Sequence, residues 1–490
     1  GLLKMDFLGL KNLTIIDYIL KDIEKNDGRK ININEIELND KKTFQLISRG
    51  DTFGIFQLES PGMKNLLIKM QCNCLDDLIA AIALFRPGPM ANIPAYIARK
   101  KGEEPVTYLL DCLKPILSST YGIIIYQEQI MQVAQRVAGF SLAKADILRK
   151  AMSDKIVSLM ASMKTEFISG GIANGFSESE AVGIFELIEK FANYGFNKAH
   201  SVAYGYVAYW LAYLKANYPL EFFSALLSNE QSSDSNKINC IQEGKKYGVK
   251  ILPPSINYST DRFKVEDGNI RYSLLAIKNV GYAGYQAIIQ EREKGLFKDV
   301  FDFISRMESS KLNSKMIDSL IMAGAFDEFE LNRSTIKYNL SHIMEYAQLK
   351  NMIGIDEPPI LTIVKDNRMK ILEEEKLVLG VYLSMHPIAL IKQNLNLKII
   401  SVSELHNNID KYVTIVMAIS RVKAIVDKKG QEMCFVDGYD ETGEIDGVVF
   451  ANNYQTLKNV LVRGDICLIE GQVKSRDKLS LVIYQAKKVR

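Results

Sequence analysis

The sequence has no apolar run approaching the ~18–20 residues a membrane-spanning helix needs, so no membrane partner is expected. It has only six cysteines in 490 residues, scattered and without the framed spacing of a disulfide scaffold, which points to a reducing cytoplasm. The nearest pair, Cys72-x-Cys74, has no second Cys or His pair close by, so a zinc site is not expected. The four histidines stand far apart and select no site. A large excess of one charge is also lacking. With 61 basic and 58 acidic residues the net charge is +3, too little to argue for nucleic acid by itself. No Walker phosphate loop, G-x-G-x-x-G fingerprint, H-E-x-x-H zinc motif or G-x-S-x-G nucleophile elbow is found. There is no internal repeat and no low-complexity tract. Neither an initiating Met, a signal peptide nor a basic targeting arm precedes Gly1-Leu2-Leu3-Lys4, so the chain is expected to be processed or to be part of something longer.

What is present is a globular composition, 47% hydrophobic and 24% charged, in a length that suits roughly three domains at ~100–200 residues each. A helix is expected after Gly9, broken by Asn26-Asp27-Gly28-Arg29-Lys30. Helix-period patterns dominate from Asn39 to Ser228. Gln231–Asn236 reads as a loop, and Pro253-Pro254 as a boundary. Short helices joined by Gly turns run from Gly268 to Ala347. A linker is expected at Asp356–Pro359, then a charged helix from Arg368 to Leu379 that ends at Gly380. The last 80 or so residues change character. Strands are expected over Tyr412–Ile425, Glu432–Tyr439 and Glu444–Phe450, a helix over Asn452–Leu461, and strands over Ile466–Val473 and Leu479–Ala486. Three strands, a helix and two strands is the element order of an OB barrel, a fold that binds single strands or oligosaccharides.

Several segments place charge beside special backbone. Asp6 lies between apolar neighbours in Lys4–Leu10. A carboxylate on a half-buried strand is costly unless paired or metal-bound, but a strand-end Asp can also cap the following helix. In Gly54–Met63, Ser60 suits an N-cap and Pro61 the first helical position. The helix from Ser141 puts Ala145, Leu148 and Met152 on one face, with Arg149 and Lys150 on its flank. Those two cations could clamp phosphates, or simply face solvent. In Tyr194–Ser201, loop amides, Lys198 and His200 converge on the start of a long helix ending near Asn217, where free N–H groups and the helix dipole favour an anion. The stripe Tyr204, Tyr206, Tyr209, Trp210 and Tyr213 behind it reads as core, or in part as a surface on which a base could stack. Ile277–Gly284 followed by Tyr285–Arg292 reads as helix, tight Gly hairpin and helix, and Met322–Phe326 as a second hairpin. Such hairpins offer backbone N–H groups to a DNA phosphate without reading sequence, although an ordinary αα-turn looks the same.

Taken together these segments resemble the C-family replicative polymerases of bacteria, the DNA polymerase III alpha subunits. The matching stretches are Gly1–Leu10, Gly54–Met63, Ala83-Leu-Phe-Arg-Pro-Gly-Pro89, Tyr121–Gln129, Ala145-Asp-Ile-Leu-Arg-Lys-Ala-Met152 and Tyr194–Ser201, in family order and spacing. The resemblance continues through the hairpins and Leu379–Pro387 to the barrel. It implies a multidomain chain, mainly α with a C-terminal β-barrel: the end of a palm at 1–15, helical fingers at 16–250, a tandem helix-hairpin-helix and clamp-binding domain at 251–400, and an OB fold at 401–490.

The resemblance makes Asp6 a catalytic, Mg2+-binding carboxylate whose Asp-x-Asp partners lie well upstream in the family and outside this sequence. Phosphoryl transfer of this kind uses two Mg2+ ions, one at the primer 3′-hydroxyl and one at the triphosphate, so one Asp cannot hold both. Lys4, Arg149, Lys150, Asn197, Lys198 and His200 match family positions around the dNTP triphosphate, where they would neutralise charge. Lys150 is a point charge where many members carry an Arg fork. Asn279, Gly281, Gly284 and Gly324 fall at the DNA-binding hairpins. Asn279 and Ala283 stand where the family often has Gly, which predicts an altered first turn. Gln348–Ile353, with Gln348, Met352 and Ile353 as contacts, is the nearest candidate for a sliding-clamp peptide, and it can equally be a helix end. The implied partners are primer-template DNA, dNTP, the clamp and other replisome subunits, in a bacterial cytoplasm. Two other readings stay open. One is a non-catalytic DNA-binding protein built of hairpins and a barrel. The other is a scaffold that mainly engages the clamp.

Overall fold

The computed structural model describes residues 9–153, 156–192, 195–307, 312–355, 357–475 and 478–489. Element ends fall where the backbone chemistry demands them. The first helix, α1 (Lys11–Asp27), stops because Gly28 takes a left-handed φ of 68° and returns its N–H to the Glu24 carbonyl. Helix α2 (Pro61–Met70) starts as expected: the Ser60 hydroxyl accepts the Met63 N–H and Pro61 occupies the first turn, where its missing N–H costs nothing. Helix α3 (Leu75–Leu84) is apolar on all sides and buried from Asp77 onward, so it lies in the core. Four helices, α4 (Gln127–Ala138), α5 (Leu142–Ser153), α6 (Val157–Ala173) and α7 (Glu178–Ala192), bury Val133, Val137, Leu148, Phe167, Phe185 and Ile188 among themselves. Helix α8 (Lys198–Asn217) packs on α3 and ends before Pro219, which opens α9 (Pro219–Asn229).

These helices belong to one compact unit, which runs through Glu230 and also holds Asn239–Lys250 and Phe263–Ile270. A second unit holds Gln231–Ile238, Ile251–Arg262 and everything from Arg271. The short strands Ile251–Leu252, Lys264–Glu266 and Asn269–Arg271 fall where the chain passes between the units.

In the second unit the first hairpin differs from expectation. Residues 274–279 form turns, not a helix, and the Ala276 N–H is taken by the Ser273 hydroxyl. Too few residues lie between Ser273 and the left-handed Asn279 to repay helix nucleation. Helix α10 (Tyr282–Glu293) follows. Then come α11 (Ser314–Ala323), α12 (Arg333–Tyr338), α13 (Leu340–Ile353) and α14 (Arg368–Leu379), which ends at left-handed Gly380 as its sequence predicts. Helix α15 (Pro387–Asn394) leads into the barrel.

The barrel closes in the order β1 (Tyr412–Val426), β2 (Glu432–Tyr439), β3 (Glu444–Val449), β5 (Leu479–Lys488), β4 (Ile466–Ser475), with helix α16 (Ala451–Leu457) after β3. β3 and β5 are parallel and the other pairs antiparallel, which is the OB topology read from the element order. Alternate residues fill its interior: Val413, Ile415, Met417 and Ile419 on β1, Cys467, Ile469 and Val473 on β4. Ile388 of α15 covers Val416 and Ala418 on the outer face of β1. The Lys392 ammonium locks that helix to buried Asp440 at 2.7 Å and to Glu441 at 2.9 Å. Among the described residues no helix is long and apolar enough to cross a membrane.

Candidate functional site

In the first unit a cluster forms at the start of α8. A short parallel bridge joins Phe196 to Tyr126, with the Phe196 N–H on the Ile125 carbonyl at 3.1 Å and the Gln127 N–H on the Phe196 carbonyl at 2.9 Å. This anchors the loop onto the start of α4. Asn197 then caps α8, its side-chain oxygen accepting the His200 N–H at 2.8 Å. Asn197, Lys198 and His200 are all exposed. The Arg86 guanidinium lies 4.0 Å above the Phe196 ring, and the Lys198 ammonium lies 5.4 Å from the Tyr126 ring. The His200 ring sits between Phe196 at 5.3 Å and Tyr204 at 4.1 Å. Arg86, Lys198 and His200 thus stand on an aromatic base.

One expectation needs correction. Two of the amides at this helix start are already taken. The Lys198 N–H donates to the Glu128 carboxylate, at 3.0 and 2.9 Å to its two oxygens, and the His200 N–H goes to Asn197. Glu128 is already the anion that the helix dipole favours there. A phosphate arriving here would meet the side-chain cations and not a bare row of N–H groups. The aromatic stripe also divides. Tyr209 is core: it is fully buried against Phe44 and donates its hydroxyl to the Glu37 carbonyl at 2.6 Å. Only Tyr204 joins the site, with Phe56 on its other side at 4.9 Å.

Arg149 and Lys150 form a separate group on α5. Ala145, Leu148 and Met152 are buried on one face, as expected. On the exposed side Asp146 binds both cations, the Arg149 guanidinium at 2.8 Å and the Lys150 ammonium at 3.1 Å. The hydrogen bonds from Arg149 and then Lys150 hold the Asp146 carboxyl below the usual carboxylate range. This pair carries one net positive charge, because an acid three and four residues back sits between the two cations.

In the second unit the four hairpin residues divide: Asn279, Gly284 and Gly324 are engaged within the protein, and Gly281 is exposed at a helix start. Asn279 has a φ of 67°, and its side-chain NH2 donates to the Ser319 hydroxyl at 2.9 Å, so it ties the turn to α11. Gly281 has an ordinary φ of −86°, is exposed, and begins α10 with no side chain capping the helix. Ala283 lies inside α10, not in a left-handed turn, so it causes no strain. Gly284 is buried, and a methyl there would approach the Met316 sulfur at 2.5 Å, so its role is close packing of α10 on α11. Gly324 is also buried. Its N–H returns to the Ile321 and Leu320 carbonyls, so it presents no free amide to a phosphate.

Gln348, Met352 and Ile353 lie in the last turns of α13, before left-handed Gly354. Met352 is 79% exposed and Ile353 68%. On the outer surface of the barrel, register places Phe435, Val448, Val482, Gln472 and Tyr412 in one row around the strands. The Tyr412 and Tyr484 rings are 5.6 Å apart. The neighbouring row carries Arg421, Asp437, Asp446, Ser480 and Lys474, with Arg421 paired to Asp437 at 3.1 Å.

Asp6 and Lys4 lie outside the described residues. Among the described residues no group of three or more His, Cys, Asp or Glu could hold a metal ion.

Three family descriptions match the chain: "Bacterial DNA polymerase III alpha subunit finger domain" over residues 12–175, "Helix-hairpin-helix motif" over 248–336, and "OB-fold nucleic acid binding domain" over 413–489. The DNA polymerase III subunit alpha of Bacillus subtilis is 41% identical over 99% of this chain and 45% of its own length. The subunits of Halalkalibacterium halodurans and Staphylococcus aureus are 38% and 40% identical, over 96% and 97% of this chain. The chain belongs to the DNA polymerase III alpha subunit family. It spans less than half the length of these curated relatives, 45% and 43% in the first two. Within that family frame, sequence reasoning overlooked Arg86, Glu128 and Asp146. Arg86 lay inside a quoted motif, and the i,i+3 and i,i+4 spacing of Asp146 to Arg149 and Lys150 was legible. The bond from Lys198 to Glu128 joins positions 70 apart and had no local signal.

Proposed function

We propose that the chain is the fingers, hairpin and OB portion of a replicative DNA polymerase, and that the exposed cation cluster at the start of α8 receives the triphosphate of the incoming dNTP. The observation that carries this reading is the convergence of Arg86, Lys198 and His200 on one aromatic base. In the reaction the primer 3′-hydroxyl gives up its proton to water as its oxygen attacks the α-phosphorus in line. The bond to the bridging oxygen breaks, and pyrophosphate leaves. Negative charge builds on the leaving phosphates, where Lys198, His200 and Arg86 stabilise it, with Arg149 and Lys150 as a second phosphate contact once Asp146 yields. Asp6 would supply one carboxylate toward Mg2+, whose chemistry there would be to activate the hydroxyl and neutralise the triphosphate. One carboxylate cannot hold two such ions, and in the family that the sequence resembles an Asp-x-Asp pair supplies the others.

The other regions hold DNA. The uncapped start of α10 at Gly281–Ala283 offers N–H groups to a duplex phosphate. On the barrel the exposed Tyr412 and Tyr484 rings, 5.6 Å apart, suit stacking of unpaired bases. Met352 and Ile353, with Leu349, are exposed apolar residues on the segment assigned to the clamp.

Primer extension by this chain alone, with Mg2+ and dNTPs, is expected to be absent, while photoreactive dATP crosslinks near His200. Robust extension that Asp6→Asn abolishes would overturn the division of the active site. Absence of any crosslink near His200 or Arg149 would favour a DNA-binding protein without nucleotide chemistry.

A further inference from the structure

Lys215 is fully buried, and nothing in the nucleotide site uses it directly. Its ammonium donates to the Asp51 carbonyl at 2.8 Å and the Phe53 carbonyl at 3.0 Å. Three rings surround it: Tyr247 at 5.3 Å, Phe223 at 5.7 Å and Phe222 at 5.8 Å. Its acid neighbours are Asp51, 3.8 Å away and itself engaged by the Tyr247 hydroxyl at 2.7 Å, and Glu243, which acts on it more weakly. Burying an ammonium with so little compensating charge is costly, and burial pushes the Lys215 amine down to about 8. A methionine would fill the same space without that cost. The amine therefore has a task that an apolar side chain cannot do, and its two bonds identify it: both end on the backbone of one loop.

That loop, residues 51–58, does not hold itself by regular structure. It turns at left-handed Gly54 and Gln57, and is pinched by the Thr52 hydroxyl on the Leu58 carbonyl at 2.6 Å and the Gly54 N–H on Glu59 at 2.7 Å. Lys215 grips it near the C-terminal end of α8. Its Phe56 ring packs on Tyr204, about three turns or roughly 16 Å back along the same helix. Tyr204 in turn packs on His200.

We propose that Lys215 is a positioning residue of the α8 site: it fastens the 51–58 loop along the helix so that Phe56 supports Tyr204 and Tyr204 sets the His200 ring. This rests on the nucleotide reading of His200. The side chain touches no reacting atom. Its effect passes through two aromatic contacts.

The test is made on the full 490-residue chain with its four histidines carbon-13 labelled, and the His200 resonance is assigned by its loss in His200→Gln. Lys215→Met should shift the His200 resonance, and Phe56→Leu should shift it in the same direction without disturbing the buried ammonium. Far-UV circular dichroism and a cooperative unfolding transition like the wild type's show that the first unit is folded, and His342, His386 and His406, all in the second unit, should not move. If Lys215→Met does not fold, Phe56→Leu carries the test. An unmoved His200 in Phe56→Leu overturns the proposal. Titration of the wild type with dATP and Mg2+ judges the other reading separately: a His200 resonance that ignores dATP rejects the nucleotide site and leaves the positioning result standing. Where dATP does bind, its affinity should fall about tenfold in Phe56→Leu.

Discussion

The two hairpin glycines of the second unit, Gly281 and Gly324, look alike in sequence and behave in opposite ways. Gly281 is exposed, has a φ open to any residue, and begins a helix that no side chain caps. Gly324 is buried, has a φ of 81°, and keeps its N–H inside the chain. Around Gly324 the space is filled by the Arg333 guanidinium, which pairs with Asp327 and, at 3.0 Å, with buried Glu375. Glu375 also accepts the Leu383 and Ser384 N–H groups at 3.2 and 3.0 Å. One glycine leaves helix-start amides open and the other makes room for an ion-pair network. A glycine between short helices therefore says little until its N–H and the space beside it are accounted for.

The comparison can be broken by substitution. Glu375→Ala should have the largest effect. It leaves the buried Arg333 with Asp327 as its one remaining ion-pair partner beside the Met322 carbonyl and removes the acceptor of two backbone N–H groups, so denaturant unfolding of the second unit should lose about 3–5 kcal/mol. A loss under about 1 kcal/mol would show that the network is not what supports this hairpin. Gly324→Ala should follow, at about 2–3 kcal/mol, because the methyl is strained at a left-handed φ and strikes Arg333. Gly281→Ala should be smallest in stability, within about 0.5 kcal/mol, since nothing lies within 4 Å of the added methyl. Its effect should appear in duplex binding at low salt, as a roughly two- to tenfold weaker affinity from a disturbed phosphate contact. Unchanged duplex affinity in Gly281→Ala would remove the first hairpin from the DNA surface.

Legibility followed locality. Ser60 and Pro61 at the start of α2, Gly28 and Gly380 at helix ends, and the strand limits of the barrel were all readable, because caps, turns and period-two alternation act over a few residues. The buried face of α5 was readable from helical spacing. The missing first helix of the first hairpin was not, because the Ser273 bond to Ala276 and the left-handed Asn279 compete with a pattern that by itself looks helical. The site was half legible. Lys198 and His200 stood out beside a helix start, but Glu128 occupies the Lys198 amide and Arg86 completes the cluster, both from distant positions.

Local sequence carried the helix caps, the OB topology and the segments that resemble a replicative polymerase, since all of these depend on neighbours along the chain. Tertiary structure alone decided which cations stand free and which are neutralised, which glycine is displayed and which is packed, and that a buried Lys215 grips the loop behind His200. Those outcomes depend on burial and on partners tens to hundreds of residues away. A charge or an N–H group carries no local mark of whether water or another part of the chain will satisfy it.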